Sequence, residues 1–196
     1  RFTATYMPVA ADAAGRSALA VLLEPLFTNP AVTVTGADIK RDMLLLRRSG
    51  VVFGGARWFD TAVAHYLCQP EQKHDLATLA MTYFGYTAYD YHATPSDRRS
   101  APLDPAAAMG ESAILALRLK PVLAGEVDER GQRRLLDEVE LPLVSVLASM
   151  EWEGARIDPA ELHTLSKQLT ARLHELEEEA YAIAGGPFNV SSPAQV

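Results

Sequence analysis

The chain has 196 residues, 48% of them hydrophobic and 22% charged, with a formal net charge of −7. That balance excludes a disordered or fibrous polypeptide and supplies core material for one domain or one and a fraction. The longest apolar runs fall far short of the ~20 residues a bilayer span needs, and no basic stretch followed by an apolar run opens the chain. The lone Cys68 can form neither an internal disulfide nor a Cys-based zinc site, which points to a reducing cytoplasm and no membrane partner. Taken alone, the acidity also speaks against a nucleic-acid ligand.

From the N-terminus, Thr3 to Val9 is β-branched and aromatic and predicts a strand, with Pro8 at its end or edge. Ser17 to Phe27 places Leu19, Leu22, Leu23, Leu26 and Phe27 at helical spacing. Ala31 to Thr35 reads as a strand ending at Gly36. Asp38 to Arg48 follows as a helix with Ile39, Met43 and Leu46 on one face, and Val51 to Phe53 as a third strand. Two short helices are expected around Thr61 to Leu67 and Asp75 to Phe84. This β-α-β-α-β-α order predicts an α/β layered domain.

Tyr86 to Asp104 lacks periodicity and reads as a loop. Asp104-Pro105 then opens a helix, Asp as cap and Pro at the first position, expected to stop before Pro121. The polar, Gly-flanked run Ala124 to Gln132 reads as a surface connection. Gln132 to Met150 predicts one helix kinked near Pro142. Asp158-Pro159-Ala160-Glu161 reads as a capping box. It opens a helix of about 40 Å whose Leu162, Leu165, Leu169, Leu173 and Leu176 form one apolar stripe, expected to pack antiparallel against the Gln132 to Met150 helix, with a coiled-coil seam as the alternative. That helix ends at Gly185-Gly186, and Ser191-Ser192-Pro193 starts another in which the sequence stops, as a piece of a longer protein would.

The charge is unevenly spread. Residues 1–136 carry 15 Lys and Arg against 14 Asp and Glu, whereas residues 137–196 carry 3 against 11. A shift of that size marks a candidate domain boundary. It also removes the objection to nucleic acid, because the larger part of the chain is almost neutral.

Three C-terminal stretches, L-P-L-V-x-V-L at 141–147, M-E-x-x-G-x-x-I-D at 150–158 and F-N-V-S-S-P-x-Q at 188–195, resemble the start of the polymerase region of the bacterial DNA polymerase I family, the family A polymerases. Upstream, F-D-T at 59–61 and K-H-D-L-x-x-L-A at 73–80 resemble the 3′–5′ exonuclease-like domain of the same family. The resemblance implies an RNase H-like exonuclease domain, a mixed sheet with flanking helices, over residues 1–130. The start of the polymerase thumb, a helical segment, would follow over residues 131–196. It implies a monomeric parent enzyme acting in DNA replication and repair, with primer-template DNA as partner and Mg²⁺ as the polymerase cofactor. No cofactor is expected within these residues themselves.

Proofreading nucleases of this kind clamp the attacking and leaving oxygens with two metal ions, which require carboxylates from several chain segments. The family's Asp-x-Glu motif should precede the strand at Thr3 and is not present in this sequence. Its G-x-N-x-K-x-D motif is similar to Gly36-Ala37-Asp38-Ile39-Lys40-Arg41-Asp42. Asp42 takes the metal-ligand position and Asp38 replaces the usual Asn. On the residues alone, Asp38 reads as a helix cap and Asp42 as a solvated carboxylate. In the third motif Glu111-Ser112-Ala113 matches Glu-Asp-Ala, which puts Ser112 at the metal-binding Asp and Ala108 at the Tyr. A hydroxyl is a weak neutral ligand and a methyl is none. The expectation is therefore a vestigial nuclease without catalytic residues, Asp42 being the remaining metal-ligand candidate. The alternatives are a live metal-dependent proofreading exonuclease and a non-enzymatic helical interaction module.

Asn189 and Ser192 match a turn of the family that meets the DNA backbone near the thumb. A helix start offers free N–H groups there, and short polar side chains add donors. The five histidines show no metal-ligand spacing, and Arg98-Arg99 reads as a solvated turn. No phosphate-binding glycine motif or nucleophile elbow occurs.

Overall fold

A computed structural model describes residues 3–8, 12–51, 53–88 and 104–192. The contacts gather the chain into two compact units, Arg1–Glu153 and Gly154–Val196, so the division falls later than the shift in charge.

The first unit begins with residues 3–8, which are not hydrogen-bonded into a sheet. The strand expected from Thr3 is thus not found up to Pro8, and Val9 lies outside the described residues. β propensity without a neighbour to complete the ladder does not make a strand. Helix α1 (Ala13–Phe27) is capped by Asp12, whose carboxylate accepts from the N–H of Gly15, and it tolerates Pro25 in its last turns. Strand β1 (Thr33–Gly36), helix α2 (Ile39–Arg48) and strand β2 (Arg57–Asp60) form one βαβ crossover. The two strands pair in parallel, from Thr33 opposite Arg57 to Gly36 opposite Asp60.

The strand expected around Val51–Phe53 is instead irregular at Val51 and Phe53, and β2 lies a few residues on. Gly55 makes the connection possible. Its φ is +138° and a Cβ there would stand 2.2 Å from the carbonyl oxygen of Thr28, so only glycine fits. The N–H of Ala56 donates to the Phe27 carbonyl at 3.1 Å. Phe53 and Trp58 then meet Phe27, with ring centroids 5.1 to 5.7 Å apart.

Helices α3 (Thr61–Cys68) and α4 (Leu76–Phe84) follow, capped by Asp60 and Asp75. Of the expected loop, Tyr86 to Ala88 is irregular and most of the rest, with Arg98-Arg99, lies outside the described residues. Helix α5 (Pro105–Glu129) is capped by Asp104 as expected, but it runs straight through Pro121. The reason is burial. Leu115, Leu119, Leu123 and Val127 recur every four residues and all are buried. Their combined transfer free energy exceeds the ~3 kcal/mol an internal proline costs. The stretch read as a surface connection is therefore mostly helix, and the turn is confined to the three residues around Gly131.

A short helix α6 (Arg133–Leu135), a π-helical turn (Leu136–Glu140) and helix α7 (Leu141–Glu153) form one run. The distortion expected at Pro142 takes this form. Proline has no N–H to give the carbonyl four residues back, and just before it the N–H of Leu141 reaches the Leu136 carbonyl, five residues away.

One core cluster joins Phe59, Ala64, Cys68, Leu79, Leu119, Leu123, Val127 and Leu136, tying β2, α3, α4, α5 and the π turn together. A second joins Ile39 and Met43 of α2 to Val144 and Ala148 of α7. At its edge Lys40 pairs with Glu151, and the Arg47 guanidinium lies 4.4 Å from the Trp152 ring centroid.

The second unit is helix α8 (Pro159–Ala184). Asp158 accepts from the N–H groups of Ala160 and Glu161, and Gly185 closes the helix in the left-handed region. Leu162, Leu165, Leu169, Leu173 and Leu176 all lie exposed. Tyr181 meets Phe188 edge to face beyond the cap.

Candidate functional site

The C-terminal ends of parallel strands are where an α/β fold gathers polar groups. Here β1 ends at Gly36 and β2 at Asp60, directly opposite each other. Asp60 is 2% exposed. Its Oδ2 accepts from the N–H of Ile39 at 2.7 Å, and its Oδ1 accepts from Ala62 at 2.8 Å, Val63 at 3.3 Å and Asp38 at 3.4 Å. One carboxylate thus satisfies the first N–H groups of α2 and α3 together. Burial pushes its pKa up, and the four backbone donors pull against that. Thr61 completes the corner, its hydroxyl donating to the Gly36 carbonyl at 3.2 Å.

Asp38 does not cap α2 with its own side chain, contrary to expectation. It occupies the left-handed region, φ +60° and ψ +52°, and makes no side-chain cap bond. Asp and Asn are the non-glycine residues that adopt this conformation most readily. The cap comes from Asp60 across the sheet.

Asp42 lies in the first turn of α2, beside the same corner. The residue is exposed at its surface side, while Oδ2 points back to the backbone, 3.4 Å from where a Cβ on Gly36 would stand. Its pKa is raised to about 6, first by desolvation of the carboxyl, then by the negative charges of Asp38 and Asp60; Arg41 opposes. The carboxyl sits at a cleft of about 270 Å³ walled by Phe27, Val34, Ile39, Met43, Phe53 and Trp58. Thr35 contributes a buried hydroxyl with no hydrogen-bond partner among the described residues.

These groups can be weighed as a metal site. Among the described residues no three of His, Cys, Asp and Glu stand together as ligands. Asp60 is near Asp42, but its oxygens already hold four N–H groups. On α5, Ala108 is fully buried and Ser112 half-buried. The Glu111 carboxylate accepts from the Tyr86 hydroxyl at 2.6 Å. The donor set present does not fit a pair of hard divalent cations.

The other two predicted residues lie past α8. The Asn189 carboxamide accepts from the Ser191 N–H at 3.0 Å, and the Ser192 N–H donates to the Asn189 carbonyl at 3.0 Å. Asn189 is exposed and Ser192 half-buried, and the helix expected from Ser192 onward lies outside the described residues.

Two features escaped the sequence reading. The role of Asp60 was hidden because its partners at 38 and 39 are 22 and 21 positions away; its place in F-D-T was the only signal. His65 and His74 show no metal-ligand spacing, yet their Nδ1 atoms lie 2.7 Å apart.

A family model described as 3′–5′ exonuclease matches residues 2–109. The DNA polymerase I of Bacillus subtilis is 32% identical over 170 residues, covering 81% of this chain and 18% of that protein. The thermostable DNA polymerase I of Thermus thermophilus is 46% identical over 90 residues, 44% of this chain and 11% of the relative. Among solved structures, the polymerase domain of Pol1 from M. smegmatis, in complex with DNA primer-template and dNTP, superposes with a TM-score of 0.67 and 26% identity. That match covers 89% of this chain and 28% of that one. The chain spans about a fifth of the length of the curated relatives it matches.

Proposed function

Because the chain belongs to the 3′–5′ exonuclease family of family A DNA polymerases, we propose that it is the exonuclease-like body and first thumb helices of a DNA polymerase I whose nuclease chemistry is lost. The observation that carries this reading is the composition of the corner at the strand ends. In the second motif Asp42 takes the metal-ligand position, and Asp38 beside it makes no side-chain cap bond. Asp60 is occupied by backbone N–H groups, and Ala108 and Ser112 stand where the third motif supplies a phenol and a carboxylate. Replacing a charged carboxylate by a hydroxyl and a phenol by a methyl weakens the clamp on which two-metal phosphodiester hydrolysis depends.

In this reading the domain is a scaffold. It seats α7 on α2 through Ile39, Met43, Val144 and Ala148, which also speaks against an independent helical module. Asn189 and Ser192 lie in a turn able to offer an amide and a hydroxyl to a DNA phosphate. The parent enzyme acts on primer-template DNA in the cytoplasm, as a monomer, with Mg²⁺ held by polymerase carboxylates outside these residues.

A live proofreading nuclease is favoured by one observation, the raised pKa of Asp42 in a cleft. Incubation of the intact polypeptide with Mg²⁺ or Mn²⁺ and a 3′-labelled single strand separates the two. The scaffold reading expects the label to stay on the strand. Rapid release of mononucleotides that Asp42→Ala abolishes would overturn it.

A further inference from the structure

We propose that the hydrogen bond between His65 of α3 and His74 of the following loop is an acid-released clip on the α3–α4 connection. The two Nδ1 atoms are 2.7 Å apart, so one must carry the proton and the other a lone pair. His65 is 1% exposed, and its Nε2 is buried with no hydrogen-bond partner among the described residues. The arrangement that leaves no buried N–H orphaned has His65 donating from Nδ1 and His74 accepting. The second nitrogen of His74, a half-buried residue, then carries the other proton.

Every added proton breaks this arrangement. A proton on His74 turns its Nδ1 into a donor, so two donors face each other unless His65 changes tautomer. That change places an N–H on the buried, unpartnered Nε2. A proton on His65 leaves a buried cation with the same orphaned N–H.

Around the pair, α3 contributes Tyr66 and Cys68, the loop Lys73 and Asp75, α4 Tyr83 and α5 Glu126. Among the described residues Glu126 is the anion that favours a charged His65. It already accepts from the Tyr83 hydroxyl at 2.9 Å, and desolvation and the repulsion of His74 outweigh it, so the His65 pKa lies below the ordinary value. Asp60, at the start of α3, is held by four N–H groups, and Asp137 and Glu138 of the π turn packed near α3 are exposed. A histidine held below its unfolded pKa stabilises the folded state above that pKa and loses the contribution as pH falls through it. The clip therefore holds while both rings are neutral and opens as the pH falls through the lowered His65 pKa, below the ordinary histidine value.

The test is hydrogen exchange across residues 69–75 of the full chain, corrected for the intrinsic pH dependence of exchange. The Gln72 N–H, bonded to the Gln69 carbonyl at 3.1 Å, is the amide to follow. Protection is expected to fall at least tenfold between pH 7.5 and 5.5. In His74→Ala it should be low and flat over that range, and in His163→Ala it should match the wild type. A flat profile in the wild type, or the same step surviving in His74→Ala, overturns the proposal. Should His74→Ala not fold, ¹⁵N imidazole spectra of the wild type decide. A single Nδ1–H tautomer on His65 at pH 7.5, lost in step with the protection of residues 69–75, supports the clip; no tautomer preference on His65 at pH 7.5 overturns it.

Discussion

Asp60 and Asp158 both start a helix, one in each unit, and both accept from the N–H groups two and three residues ahead. Asp60 does so from a buried strand end and also takes the first N–H groups of α2, which lie across the sheet. Asp158 does so at the surface and holds only its own helix. The same residue type is thus a tertiary joint in one unit and a local stop in the other. What differs is the burial around it. Phe59, Leu79, Leu119, Leu123 and Leu136 are closed off from water, whereas the leucines of α8 are about half exposed or more.

The comparison is most sharply tested at its buried end. Asp60→Ala should destabilise the first unit by about 2–4 kcal/mol, since two helix caps are lost and buried donors are left bare. Chemical denaturation should show a lower midpoint, and a loss below about 1 kcal/mol would mean that α2 and α3 do not depend on this joint. Asp158→Ala should cost about 1 kcal/mol, the value of one exposed cap. Its effect should appear as faster amide exchange in the first turn of α8 and leave the first unit unmoved. Leu169→Ala, at a residue 61% exposed, should change stability by less than about 0.5 kcal/mol. A loss of 2 kcal/mol or more there would show that the leucine stripe is buried in solution.

Much of the architecture was legible because it is written locally. Asp104-Pro105 and Asp158-Pro159 announce their helices, Gly185 ends one, and the apolar spacing of α2 gives its buried face directly. What escaped depends on distant partners. Arg57 to Asp60 holds too few residues, two of them charged, to read as a strand, yet it pairs fully once β1 lies beside it. Thr3 to Pro8 has the composition of a strand and is not paired. Pro121 looks like a stop, and only the burial of Leu119 and Leu123 shows why it is not. At the candidate site, motif spacing pointed to Asp42, which the structure puts beside the strand ends. The left-handed Asp38 and the borrowed cap could not be read from spacing, because conformation there is dictated by a carboxylate across the sheet.

The π-helical turn between Leu136 and Glu140 sets the phase of everything after it. In an uninterrupted α-helix Val144 would stand about 80° around the axis from Leu136, and one extra residue absorbed in a wide turn brings it back to within about 20°. The side of the run that closes one core cluster with Leu136 therefore closes the other with Val144 and Ala148. A single inserted residue, held by a proline that cannot tighten the turn, works as a vernier between two cores. Deleting one residue from it would turn the seat of α7 away from α2 without altering any contacting side chain.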